Sequence, residues 1–208
     1  SAGTAPGAMA SSNDENVLYV VSETGDKLSV FYQDSVVQVL SDGDLVTDID
    51  GNDVVLNGLN GASSVAVSGN DRFVYVTGKD SNSVSVFERD FTSNTLTLVE
   101  TFVNGLKGVR GLASATDVTL SPDGQYAMVS GAESNAIAVF HIPDSATGRL
   151  EFVQLLRNNV SDVTGLTEPS SLAVSVIGSQ LYAGSGLGLV EFTNVVRGDT
   201  LPDPVVFT

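Results

Sequence analysis

The chain has 208 residues and a formal net charge of −16, from 9 basic against 25 acidic side chains. That balance excludes a phosphate-binding surface and argues against nucleic acid and anionic membranes as partners. Cys is absent, which removes disulfides, thiolate metal sites and Cys nucleophiles together.

Hydrophobic residues at 42% and charged residues at 16% place the chain among globular proteins. Many Gly, Val and Ser with few Lys or Glu predict short strands joined by tight turns. No apolar run approaches the ~18 residues of a membrane span. Ser1–Ala10 is small and uncharged, without the pattern of a secretory leader. The acidity is most simply a matter of solubility, and it also fits an extracytoplasmic protein or one that binds cations.

Taken in chain order, residues 1–11 are either a tag-like appended segment or a weak first strand. Thr4–Ser12 lies where Thr167–Ser175 lies in the last unit, with Pro6 matching Pro169, Met9 matching Leu172 and Ser12 matching Ser175. Asn16–Phe31 (NVLYVVSETGDKLSVF) opens a block that returns as Arg72–Phe87, 56 residues on, and as Gln125–Phe140, a further 53 on. Gln180–Phe192 is a shortened copy. Between the first two copies lies Asp48-Ile49-Asp50-Gly51-Asn52-Asp53, with Asp42 and Asp44 just upstream. It reads first as a solvated acidic loop. Its alternating oxygen ligands and Gly turn also resemble the front half of a Ca²⁺ loop using Asp48, Asp50, Asn52 and Asp53, without the spaced Glu or flanking helices of an EF-hand.

A second block recurs as Gly58–Ser68 (GLNGASSVAVS), Gly111–Ser121 (GLASATDVTLS) and Gly165–Ser175 (GLTEPSSLAVS), at steps of 53 and 54 residues. A third recurs as Asn94–Gly105 and Gly148–Asn159. Each unit therefore carries four apolar runs alternating at period two, and no segment shows a 3.6-residue stripe. The turns at Ser68–Asp71 (SGND) and Ser121–Gly124 (SPDG) supply residues that tolerate tight-turn dihedrals. This pattern predicts an all-β β-propeller of about four four-stranded antiparallel blades, near 12–57, 58–110, 111–164 and 165–208. Pro204–Thr208 is expected as an outer or ring-closing strand.

SPDGQYAMVSGAESNAIAVF followed by ATGRLEFVQLL resembles the repeats of lactonase-type β-propellers, also described as YVTN-type, with Phe73-Val74-Tyr75-Val76-Thr77-Gly78 the nearest match to their second strand. The resemblance covers residues 12 to 194 and implies a ring of about seven blades. Four blades then form a small closed ring, part of a larger ring, or half of one completed by self-association. Blade residues by themselves do not define an activity.

Propeller ligands usually sit on loops flanking the innermost strands. Here those loops are 60–64, 113–117 and 167–171, and their ionisable residues are Asp117 and Glu168. The pair would hold a cation or act as acid and base; as plain structure, both would cap turns and strand starts. The single His, His141, ends a third strand away from the axis. No G-x-S-x-G motif accompanies the many Ser residues, and Gly184–Gly188 reads as a tight turn. The leading expectation is a non-enzymatic interaction or scaffold module of a larger bacterial extracytoplasmic protein, with a protein or carbohydrate partner. The alternatives are a fragment of a lactonase-like hydrolase and a calcium-dependent adhesive module.

Overall fold

Period-two alternation becomes seventeen strands and no helix among the residues that the computed structural model describes, 6–161, 163–177 and 180–193. Blade 1 sets β1 (Ala8–Ser11), β2 (Val17–Ser22), β3 (Lys27–Tyr32) and β4 (Ser35–Ser41) side by side. A short hairpin follows, β5 (Leu45–Thr47) with β6 (Asp53–Val55). Blade 2 is β7 (Ala62–Val67), β8 (Phe73–Gly78), β9 (Ser83–Arg89) and β10 (Leu96–Val103). Blade 3 is β11 (Ala115–Leu120), β12 (Tyr126–Gly131), β13 (Ala136–His141) and β14 (Glu151–Arg157). Blade 4 shows β15 (Ser171–Val174), β16 (Gln180–Ser185) and β17 (Gly188–Thr193). Strands within a blade pair antiparallel, and β1, β7, β11 and β15 neighbour one another in that order as the inner wall. The segment weighed as tag-like or weak strand forms β1, with Ala10 opposite Tyr19. A fourth strand for blade 4, and the expected role of Pro204–Thr208, lie outside the described residues.

One turn device joins the first and second strands of the first three blades. The Oγ of Ser12, Ser68 and Ser121 accepts a bond from the backbone N–H five residues on, at Val17, Phe73 and Tyr126 (3.0, 2.8 and 2.9 Å). Each hydroxyl donates to the side chain two residues on, Asp14, Asn70 or Asp123. That side chain in turn accepts the N–H of Asn16, Arg72 or Gln125. The Ser-x-Asx spacing thus satisfies turn amides that the ladder leaves unpaired. In blade 4, Ser175 makes the first of these bonds, to Gln180 at 3.1 Å.

The Gly that ends β8 and β12 has a different cause. A Cβ on Gly131 would stand 2.0 Å from the Gly111 carbonyl oxygen, and one on Gly78 2.5 Å from that of Gly58. The Gly-Leu loop entering blades 2 and 3 therefore crosses directly over the end of the second strand, where a side chain would collide with its backbone; in blade 4 the same position is Ser185, whose Oγ donates to the Gly165 carbonyl at 2.7 Å.

Three apolar layers hold the blades together. Val65, Val74, Val76 and Phe87 of blade 2 pack on Tyr19, Val21 and Val30 of blade 1. Their counterparts Val118, Ala127, Val129 and Phe140 pack on blade 2, and Leu172, Leu181, Ala183 and Phe192 pack on blade 3. Full burial of each such Val, Leu or Phe stabilises by about 1.5–3 kcal/mol. Among the described residues no blade packs on the counterparts in blade 1, Met9, Leu18, Val20 and Phe31: Met9 is 61% exposed where Val65 is 8%, and the other three are half-buried.

A polar tie supplements the first layer. Asp71 accepts the Asn13 N–H (2.6 Å), Asn13 Nδ2 (2.8 Å) and the Asp14 N–H (3.2 Å) across the interface of blades 1 and 2. Arg89, 4% exposed, reaches across from blade 2 to Asp14 Oδ2 at 3.3 Å, is held by Asn94 Oδ1 at 2.7 Å and stacks on Phe91. The Ser12 hydroxyl above all, then the Asn16 amide and the Arg89 guanidinium, hold the Asp14 carboxyl down to about 2.

Gly131→Ala is expected to destabilise by about 3 kcal/mol in urea unfolding, because backbone must move. Gly69→Ala, which meets nothing within 4 Å, should stay within about 0.5 kcal/mol of the parent. Asp14 has a folded pKa below its ordinary 3.8, so its stabilising contribution is present above that value and is lost as pH falls toward 2. Unfolding titrations between pH 4 and pH 2 should accordingly show a shallower acid loss in Asp14→Asn.

Candidate functional site

The inner wall is built from small polar residues at repeating positions. Ser63 and Thr116 are each bulged out of the β7–β8 or β11–β12 ladder. The Ser63 Oγ donates to the Ala115 carbonyl of the next blade at 2.8 Å, and the Thr116 Oγ1 to the Pro169 carbonyl at 2.8 Å. Bulging aims these hydroxyls sideways, from one inner strand onto the next. In blade 1 the same position is Gly7, whose Cβ would lie 3.8 Å from the Ala62 carbonyl oxygen.

Asp117 sits one residue further along and is half-buried. Its Oδ1 accepts the Ser64 hydroxyl at 2.6 Å and its own strand's Val118 N–H at 2.9 Å; its Oδ2 accepts the Leu172 N–H at 2.7 Å. One carboxylate thus ties the inner strands of blades 2, 3 and 4. Charge-assisted bonds of this kind are worth about 1.5–3 kcal/mol each.

Glu168 is placed differently. It occupies a slot also held by Gly61 and Ser114, all three with left-handed backbone (φ 45°, 66° and 53°). Each slot donates its N–H to a side chain of the preceding blade: Gly61 to Asp26 at 2.8 Å, Ser114 to Asn82 at 2.7 Å, Glu168 to Asn135 at 2.9 Å. The slot uses the backbone, so the Glu168 side chain is exposed and its carboxylate makes no hydrogen bond or ion pair among the described residues. Asp117 and Glu168 therefore share the channel loops without joining into a hydrogen-bonded pair.

The Asp48–Asp53 segment turns the β5–β6 hairpin, which docks through Ile49 N–H on the Leu98 carbonyl of the outermost strand of blade 2. Asp48 Oδ1 accepts the N–H groups of Asp50 (3.0 Å) and Asn52 (2.8 Å), and the Asn52 amide above all holds its carboxyl below the usual range. Asp53 accepts the Thr47 hydroxyl at 3.1 Å. These oxygens close a turn, and among the described residues no group of three or more His, Asp or Glu is placed to hold a metal ion. The structure gives the Ca²⁺ reading no support. His141 stands over Tyr126, ring centres 5.2 Å apart, with Nδ1 3.9 Å from Glu151 on the outer strand.

The buried Arg89 is not among the residues that the repeat pattern singles out. Its signal was the contrast between Arg89 and Ile142, which occupy the same register 53 residues apart: each donates its N–H to the residue-72 or residue-125 carbonyl.

Fold and inner wall together define a β-propeller of YVTN-type blades. The model of the lactonase family, described as a seven-bladed β-propeller, matches residues 1–155, and the chain belongs to that family. The expectation of a non-enzymatic scaffold module is overturned by this membership. No curated protein matches the chain by sequence. Among solved structures, a Lactobacillus plantarum protein is 19% identical over 99% of this chain and 59% of its own, with TM-score 0.71. A Bacteroides uniformis protein provisionally named a 6-phosphogluconolactonase is 18% identical over 97% of this chain and 55% of its own, with TM-score 0.70. The periplasmic gluconolactonase of Pseudomonas aeruginosa is 23% identical over 96% of this chain and 53% of its own, with TM-score 0.66. At these identities the likeness is one of fold, and the chain spans a little over half the length of each.

Asp117→Ala should lower unfolding free energy by about 2–4 kcal/mol, since it leaves Ser64 and the Leu172 amide unpaired. Asp117→Asn, which keeps an acceptor toward one of them, should lose about half as much in the same denaturant titration.

Proposed function

We propose that the chain forms the four-blade portion of a lactonase-type hydrolase that opens a cyclic ester with water. Family membership over residues 1–155 carries this reading. The reaction requires water to add to the lactone carbonyl, the ring C–O bond to break and the ring oxygen to take a proton, giving a hydroxy acid. Within this chain, the exposed carboxylate of Glu168 is available to accept a proton from water. Asp117, with both oxygens committed to neighbouring strands, serves as a positioning residue that sets the spacing of the inner wall.

The channel loops 60–64, 113–117 and 167–171 contain no Lys or Arg. That composition favours an uncharged sugar-type lactone over a phosphorylated one. Among the described residues no helix is long and apolar enough to cross a membrane. An extracytoplasmic location is part of the proposal. It is supported by the acidity and by the periplasmic origin of one similar structure.

The test is acid release from glucono-δ-lactone, followed by pH-stat against the spontaneous rate. The assembled protein should accelerate ring opening, and Glu168→Gln should reduce kcat by about 10²-fold or more, the scale of a lost general base. Glu168→Gly should leave stability unchanged or higher by up to about 1 kcal/mol, because Gly adopts the left-handed slot without cost. Full activity in Glu168→Gln would remove its assigned role, and no acceleration by the assembled protein would count against the hydrolase reading.

A further inference from the structure

Blades 2 and 3 are each entered through a loop held by one repeated bond, and the residues around that bond change charge from one blade to the next. Entering blade 2, Asp42 Oδ1 accepts the Leu59 N–H at 2.9 Å; entering blade 3, Asn104 Oδ1 accepts the Leu112 N–H at 3.2 Å. The register holds through the change, since Asp42 N–H bonds to the Asp26 carbonyl as Asn104 N–H bonds to that of Asn82. Asn57, just before Gly58-Leu59, becomes Arg110 before Gly111-Leu112. Val103, opposite Ser83, becomes Arg157, opposite Ala136. One acid and no base thus become two bases and no acid at matched positions. Blade 4 has Thr164 at the place of Arg110.

Arg110 and Arg157 line one concavity of about 240 Å³ together with Asn104, Ser134, Ala136 and Leu155, and no Asp or Glu lines it. Elsewhere the basic side chains are spent on carboxylates: Arg72 on Glu88, Lys79 on Glu23, Arg89 on Asp14 and Arg149 on Asp50. Among the described residues Arg110 and Arg157 make no ion pair. The neutral groups beside them have used their acceptors and kept their donors. Asn104 Oδ1 is taken by the Leu112 N–H, which leaves Nδ2 to donate. The Ser134 Oγ accepts the Ala113 N–H at 2.9 Å, and its own proton has no acceptor among the described residues. Its counterpart in blade 2, Ser81, has the Asn60 carbonyl at 3.3 Å and the Ser83 hydroxyl at 2.8 Å, and Ala136 removes the second of these. Two guanidinium groups and two unspent neutral donors around one cavity are the complement of an oxyanion.

We infer that this pocket at the entry to blade 3 binds a small organic monocarboxylate, its oxygens on Arg110 and Arg157 and its carbon body on Leu155 and Ala136. A guanidinium fork matches a carboxylate bidentately, as a lysine does not. A chain of net charge −16 repels a dianion more than a monoanion, and the exposed Glu133 beside Ser134 adds to that repulsion, so a carboxylate is favoured over phosphate. Neither Asp117 nor Glu168 lines the pocket. It adjoins the channel loop 113–117 through Ser134, which holds the Ala113 N–H.

The experiment is an NMR titration of the 208-residue chain, following the amide groups of Gly111, Ser134 and Ala136 with propionate, propionamide and inorganic phosphate at equal ionic strength. Saturable shifts are expected with propionate, with phosphate weaker and the neutral propionamide silent. Arg110→Asn combined with Arg157→Val restores the blade 2 residues at two exposed positions and should weaken propionate binding at least about tenfold. Either single substitution, expected to weaken it several-fold, makes the same comparison if the double variant does not fold. Absence of saturable shifts, equal shifts with propionamide, phosphate binding as tight as propionate, or propionate binding unchanged in the folded variants would each overturn the inference.

Discussion

Each blade presents an apolar face to the blade before it, and the rest of the structure depends on that contact. A four-stranded sheet of this size cannot bury both of its faces alone. Val65, Val74, Val76 and Phe87 become core only because Tyr19, Val21 and Val30 of blade 1 lie against them. The inner-wall bonds from Ser63 to Ala115 and from Thr116 to Pro169 then fix how far one blade can slide on the next. The close loop crossings at Gly78 and Gly131 follow from the same demand, since the chain must leave one blade and enter the next without opening the layer between them.

The two carboxylates of the channel loops illustrate how one position can serve the fold and another remain free. Asp117 accepts bonds across three blades, and its charge is spent on geometry. Glu168 fills a backbone slot that elsewhere takes Gly or Ser, so its side chain carries no structural duty. An acid whose oxygens hold the wall together is not free to accept further protons or ligands, whereas an exposed one is. The chain spans a little over half of each similar solved structure.

Much of the fold was legible because its rules are local. The Ser-x-Asx turns, the period-two strands and the Gly after β8 and β12 recur at fixed steps, so comparing the chain with itself exposes them. The β5–β6 hairpin was not legible: three-residue strands leave too little alternation to read, and its acidic turn resembled a metal loop until Asp48 was seen bonded to its own amides. The role of Asp117 was hidden for a different reason. Its partners Ser64 and Leu172 lie 53 and 55 residues away and meet only when three blades are assembled. Arg89 is hidden in the sequence because it ends a strand whose other residues match their counterparts, and its partners Asp14 and Asn94 meet it only across the assembled interface.

A blade face of this kind is built to be covered, and the face of blade 1 bearing Met9, Leu18, Val20 and Phe31 is exposed enough to test that. The direct measurement is the molar mass of the 208-residue chain in solution by sedimentation velocity over a range of concentrations. Association is expected, with mass rising above the 21.5 kDa of one chain and falling back toward it when Met9 and Phe31 are both replaced by Ser. A stable 21.5 kDa monomer at every concentration, unchanged by those substitutions, would contradict it.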